Sequence, residues 1–183
     1  MLYAVEIYFR RNPKKSLLWC KAGEAFLFLG FMVILKTIKE TSMNLNGAEL
    51  IVRFLEFAGV EIVSGIPGGA SLPIYDALYG SKIRHIIARH EQGAGFIAGG
   101  MARANGKPGV CFASSGPGVT NLITAVADAK MDSIPLIVIT GQVPVSMIGT
   151  DAFQEIDTFS LSVPITKRSY LVKKVEDLIR ILP

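Results

Sequence analysis

Cysteine is nearly absent: Cys20 and Cys111 are the only two in 183 residues, far apart and without partners at metal-ligand spacing. That excludes a disulfide scaffold and a zinc module, and a reduced, cytoplasmic chain is expected. Histidine is as scarce. His85 and His90 lack a third ligand at metal spacing and follow no Ser-His-Asp order, so both are read as structural. Long hydrophobic runs are missing too. The longest, Ala25 to Leu35, is shorter than the roughly 20 residues of a spanning helix, and Lys21 and Glu24 block its extension. No small-residue cleavage pattern follows it, so neither a membrane span nor a secretory signal is expected. An excess of one charge sign is confined to residues 1–42, with seven Lys/Arg against three Glu. Residues 43–183 hold twelve of each sign. A neutral main segment carries no nucleic-acid footprint.

Glycine and aliphatic residues dominate what is present. Eighteen Gly and a hydrophobic half fit a buried α/β core in one domain. Residues 1–42 read as an N-terminal extension, helical or not native, with a membrane-surface tether as the lesser alternative. A domain over residues 43–183 follows, where apolar periodicity becomes regular. Asn46 and Glu49 have capping-box spacing ahead of a helix that Gly59 stops. Strands are predicted over Val60–Ser64, Ile83–Ala88, Gly109–Ser114, Pro135–Thr140 and, briefly, Pro164–Arg168. Helices fall between them through Tyr75 and Leu78, from Glu91 to about Asn105, from Val119 to Lys130, and at the end over Val175–Leu182. Strand, loop and helix repeated at this spacing predict a parallel sheet flanked by helices, with ligands beyond the carboxyl ends of the strands.

Three junctions fall on that edge. Glu91, in Arg89-His-Glu-Gln-Gly-Ala94, is delivered by an apolar strand to a small-residue helix, a position where a carboxylate suits proton work. Gly65-Ile-Pro-Gly-Gly-Ala70 lacks the dinucleotide and P-loop signatures. It reads equally as a tight turn or as backbone brought close to a ligand. Ser114-Ser-Gly-Pro-Gly-Val-Thr-Asn121 adds polar side chains and a helix start, without the Lys or Arg of a dedicated phosphate site. Phe153-Gln154-Glu155, in the loop Gly149–Asp157, is by itself an uninformative polar turn.

Taken together with Thr140-Gly-Gln-Val143 and Ile148-Gly-Thr-Asp-Ala-Phe-Gln-Glu-Ile-Asp157, these segments resemble the N-terminal, pyrimidine-binding domain of thiamine-diphosphate enzymes. The run from Ile148 to Asp157 narrows the resemblance to the catalytic large subunit of acetohydroxyacid (acetolactate) synthase. The resemblance implies a transferase of branched-chain amino-acid biosynthesis (isoleucine and valine), joining pyruvate to pyruvate or 2-ketobutyrate with loss of CO2. It implies that Glu91 bonds the aminopyrimidine N1′ and that Gln154 reaches the reacting centre, with Phe153 in the substrate pocket. Ile66, Pro67, Gly68 and Gly69 would line the cofactor, and Ser114, Pro117, Gly118 and Asn121 would contact its pyrimidine. Mg2+ and FAD are implied, held mostly outside this chain, as are a homodimer and a regulatory small subunit. Ile66 stands where many members carry an aromatic residue, and the Gly-Asp-Gly segment that anchors Mg2+ is absent. The chain is therefore expected to be a fragment, inactive alone. The alternatives are another thiamine-diphosphate decarboxylase or carboligase, or a truncated non-catalytic binding or assembly protein.

Overall fold

Short apolar runs between glycine-punctuated amphipathic segments become strands and helices in alternation. The computed structural model describes residues 2–8 and 45–182. The basic stretch Arg10 to Lys15, Cys20, the apolar stretch Ala25 to Leu35 and the domain start at Met43 lie outside the described residues.

Asn46 caps helix α1 (Gly47–Phe57). Its side chain accepts from the amides of Ala48 and Glu49, and Glu49 returns a carboxylate to the Asn46 amide. Strand β2 (Ile62–Gly65) leads through a 3-10 turn (Gly69–Ser71) into α2 (Leu72–Tyr79). β3 (Arg84–Ile87) leads into α3 (Glu91–Asn105), and β4 (Gly109–Ala113) into α4 (Pro117–Met131). β5 (Leu136–Gln142) follows. These four strands run parallel in the order β3-β2-β4-β5. The expected parallel sheet flanked by helices is present. Every residue of β4 is buried, as a strand covered on both faces requires.

Both faces are packed. Ile51, Leu55, Ile74, Leu78 and Leu178 close one side over Val63, Phe112 and Ile139. On the other, Ala98, Leu122, Val126 and Ala129 cover Cys111, Ala113, Leu136 and Val138. The small residues of α3 have a packing cause: a Cβ added at Gly95 would lie 2.6 Å from Ala125 Cβ on α4. The two helices approach closely because Gly95 carries no side chain where Ala125 and the end of Leu122 on α4 come against it.

Three features depart from the sequence reading. Residues 2–8, read as part of an extension outside the domain, form strand β1 (Leu2–Tyr8). It runs antiparallel to β5 on one side and to β6 (Arg168–Val172) on the other, giving the order β3-β2-β4-β5-β1-β6. The run Leu-Tyr-Ala-Val-Glu-Ile-Tyr is rich in strand-forming types, and it occupies what would otherwise be a bare edge of β5. The strand expected over Pro164–Arg168 is corrected. Val163–Ile165 form a 3-10 turn, since Pro164 has no amide to give a ladder, and the strand begins at Arg168. Helix α5 (Thr158–Ser162), capped by Asp157, was not foreseen. The final helix α6 (Val175–Ile181) stands where it was expected.

Candidate functional site

Parallel topology brings the ends of β2, β3, β4 and β5 to one edge, and the loops leaving that edge interlock through backbone contacts. A Cβ at Gly68 would fall 2.5 Å from Ser114 Cβ, so the first glycine loop rests on the second. At Gly141, the end of β5, a Cβ would lie 2.6 Å from the Ala70 carbonyl oxygen. Gly116, with φ 56° and ψ −114°, seats the backbone of Gln154, whose oxygen would be 2.6 Å from an added Cβ. Buried Gln142 donates from Nε2 to the Ile156 carbonyl at 3.1 Å and accepts from the Val143 amide at 2.8 Å. Four segments distant in sequence thus form one frame.

Glu91 stands inside that frame, partly buried, as the first residue of α3. Asn121 Nδ2, on the first turns of α4, donates to Glu91 Oε2 at 2.9 Å and sets the plane of the carboxylate. A Cβ at Gly118 would rest 3.6 Å from Glu91 Oε1 and 3.5 Å from Ser114 Cβ, so glycine keeps the space beside the carboxylate clear. The Ser114 hydroxyl is buried and has no hydrogen-bond partner. A buried hydroxyl left unpaired is costly, and its position beside a cleared space fits an occupant with polar edges. An aminopyrimidine ring, which presents donors and acceptors around an aromatic plane, matches that donor set.

Each residue singled out from sequence has a definite place. Glu91, Asn121, Ser114, Gly118 and Gly68 converge. Ile66, Pro67 and Gly69 belong to the first loop, where Gly69 borders open space and Pro67 is exposed. Pro117 starts α4 with an exposed ring, which suits a position needing no amide donor. Phe153 is 87 % exposed, and Gln154 is exposed with a left-handed backbone, φ 59°. Both sit on the loop that Gly116 seats, and neither touches Glu91 through a hydrogen bond among the described residues.

The histidines have local tasks. His90 caps α3 by accepting the Gln92 amide on Nδ1 at 3.2 Å. His85 Nε2 lies 3.3 Å from the Gly65 carbonyl oxygen, which can only accept, so the Nε2–H tautomer is present. Burial holds the His85 ring below its ordinary pKa, partly offset by that bond. Tyr75 stacks edge-on against His85, 4.8 Å between centroids, and its enclosed hydroxyl also lacks a partner. Burial raises the Tyr75 phenol, with the charges of Cys111 and Glu91 adding to the effect. Gly116 and Gln142 fall within the segments Ser114–Asn121 and Thr140–Val143 without a role of their own in the sequence reading, and Tyr75 is placed there only on a helix.

An open cleft of about 480 Å³, lined by Asp157, Phe159, Tyr170, Asp177 and Arg180 among others, lies across β6 and α6. It includes none of the residues around Glu91. Among the described residues no group of three or more His, Cys, Asp or Glu stands ready to hold a metal ion.

Residues 45–161 match the family described as thiamine pyrophosphate enzyme, N-terminal TPP binding domain. The chain is 66 % identical over 143 residues to acetolactate synthase isozyme 1 large subunit of Escherichia coli (strain K12), covering 78 % of this chain and 25 % of that protein. It is 55 % identical over 140 residues to an acetolactate synthase of Mycobacterium bovis, 76 % of this chain and 23 % of the relative. It is also 55 % identical over 134 residues to a probable acetolactate synthase large subunit of Methanocaldococcus jannaschii, 73 % of this chain and 23 % of the relative. The chain thus spans about a quarter of the length of these curated relatives.

Proposed function

The chain belongs to the thiamine pyrophosphate enzymes by their N-terminal TPP binding domain, and on that premise we propose that it is the front portion of an acetolactate synthase large subunit. Residues 43–183 form the pyrimidine-binding domain in this reading. The observation that carries it is the Glu91–Asn121 pair facing the space kept by Gly118, with the unpaired Ser114 hydroxyl beside it. Support for the particular activity comes from the names of the relatives, each called acetolactate synthase.

Thiamine diphosphate, when bound, supplies a carbon nucleophile and a sink for the electrons released by decarboxylation. This chain supplies the groups around its pyrimidine. Glu91 would hold and return a proton at the ring nitrogen, with Oε1, the oxygen that Asn121 leaves free of its own bond, available for it. Asn121 fixes the carboxylate against rotation. Ser114 satisfies its hydroxyl on the ring's polar edge, and Gly68 and Gly118 admit the ring by presenting no side chain. Backbone at Ile66, Pro67 and Gly69 lines the approach. Phe153 and Gln154, on the seated loop, meet the 2-keto acid. Pyruvate is the donor, and a second pyruvate or 2-ketobutyrate is the acceptor.

Mg2+ and FAD belong, in this proposal, to parts of a longer subunit, as does the diphosphate anchor. A regulatory small subunit is an expected partner, since relatives carry the name large subunit, and a homodimer is expected from the resemblance alone. No helix among the described residues is long and apolar enough to cross a membrane, and a cytoplasmic location is proposed. The test is Glu91→Gln in a full-length subunit carrying these residues. Loss of one positioned acid-base group lowers turnover by about 10²–10⁴-fold. Full acetolactate production by the variant would refute the assignment. The 183-residue chain alone is expected to form no acetolactate from pyruvate.

A further inference from the structure

Glu155 is the side chain that closes the loop between β5 and α5 on itself. Its Oε1 accepts the Gly149 amide, and its Oε2 accepts those of Thr150 at 3.1 Å and Ala152 at 3.3 Å. The Glu155 amide in turn donates to the Ala152 carbonyl at 2.8 Å. The Thr150 hydroxyl bonds the Met147 carbonyl at 2.7 Å, extending the tie toward the start of the loop. These amide bonds hold the Glu155 carboxyl below the ordinary glutamate range.

The same loop contains two non-glycine residues in the left-handed region, Asp151 at φ 56° and Gln154 at φ 59°. Such backbone persists only where surrounding contacts over-determine it. Glu155 supplies those contacts within the loop. Outside it, Gln142 pins Ile156, and Gly116 receives the Gln154 backbone. Phe153, 87 % exposed, has little packing of its own to fix it.

We infer that Glu155 is a positioning residue: its carboxylate, by gathering the amides of Gly149, Thr150 and Ala152, holds Phe153 and Gln154 at the mouth of the Glu91 site for the 2-keto acid. The loop closure stands on hydrogen bonds alone. Its use for substrate rests on the acetolactate synthase reading.

The experiment has two arms. In the full chain, NMR-detected amide exchange is compared among wild type, Glu155→Ala and Glu155→Gln. The amides of Gly149, Thr150 and Ala152 should exchange about tenfold faster in Glu155→Ala and at intermediate rates in Glu155→Gln, with β4 amides unchanged. Wild-type rates at all three amides overturn the inference. In a full-length subunit carrying this sequence, Glu155→Ala should raise the KM for pyruvate about tenfold, with Glu155→Gln recovering part of the loss. The thiamine diphosphate concentration for half-activation should not move, which separates positioning from general destabilisation. An unchanged KM beside faster loop exchange refutes the positioning role. If the wild-type subunit makes no acetolactate, the functional reading fails, and the closure is decided by the three amides.

Discussion

Gly116→Ala is the smallest change that strikes the frame of the site, and its cost follows from two independent features. The backbone there, φ 56° and ψ −114°, lies in a region that a residue with a Cβ rarely enters. Holding an L-residue in such a conformation costs about 1–3 kcal/mol. The added methyl would also lie 2.6, 2.8 and 2.9 Å from the oxygen, Cα and carbonyl carbon of Gln154. These are backbone atoms, which cannot step aside by a rotamer change, and forcing an extra methylene into a filled space costs about 1–3 kcal/mol. Together the loss is about 2–6 kcal/mol, a large part of the stability of a domain of this size.

Thermal unfolding followed by circular dichroism reads this directly. At about 2–4 °C per kcal/mol for a chain of this length, Gly116→Ala should lower Tm by about 4–24 °C. If the loop yields instead, the Tm loss shrinks and the amides of Gly149 to Glu155 exchange faster, which reads the same clash as displacement. The control is Gly100→Ala. Gly100 lies within α3, and a Cβ there meets nothing within 4 Å. The same chemical change should therefore stabilise, by about 0.5–1 kcal/mol, because alanine loses less chain entropy on entering a helix. A Gly116→Ala chain that melts with wild type and exchanges like it would refute the reasoning. So would a Gly100→Ala chain that loses as much stability.

Two further outcomes test the frame elsewhere. Asn46→Ala removes the acceptor of two amides at the start of α1 and should cost about 1 kcal/mol in denaturant unfolding, with an unchanged m-value. Asp157 caps α5 by accepting the Ser160 hydroxyl and amide, and those two bonds hold its pKa below the ordinary value. A depressed carboxyl contributes stability that is present above its unfolded pKa and lost as pH falls through the folded one. Wild type should therefore exceed Asp157→Asn in stability at neutral pH, modestly because the group is exposed. The gap should close in acid below the usual aspartate range, and a gap that widens there would contradict the sign.

Much of the fold was legible because its signals are local. The Asn46–Glu49 pair, the strand-to-helix step at Glu91 and the uninterrupted β-branched run before Thr140 each state their structure within a few residues. Parallel topology then places both glycine loops and Glu91 on one edge without further information. The failures have the opposite character. Helix α5 has five residues, too few to display a period, and depends on Asp157 and on contacts with β6. Strand β1 pairs with segments more than 120 positions away, and no pattern within residues 2–8 states that pairing. The apolar run around Pro164 reads as a strand start, yet Pro164 enters a 3-10 turn and the strand begins only at Arg168.

The site shows the same division, and it explains why glycines rather than charged side chains marked it. Glu91 and Asn121 are 30 positions apart, and only packing of α3 on α4 brings them together. That packing needs Gly95 to admit Ala125. The loops meet by similar approaches, Gly68 on Ser114, Gly141 on Ala70 and Gly116 on Gln154. A site assembled by backbone contact has few side chains to announce it, so its residues look like turns until topology sets them side by side. It is also intolerant of small additions. A methyl at Gly68, Gly116 or Gly141 meets atoms that form the walls of the site itself, whereas one at Gly69 or Gly93 meets nothing within 4 Å. The glycines that matter are thus separable by geometry from those that do not, a distinction that composition alone cannot make.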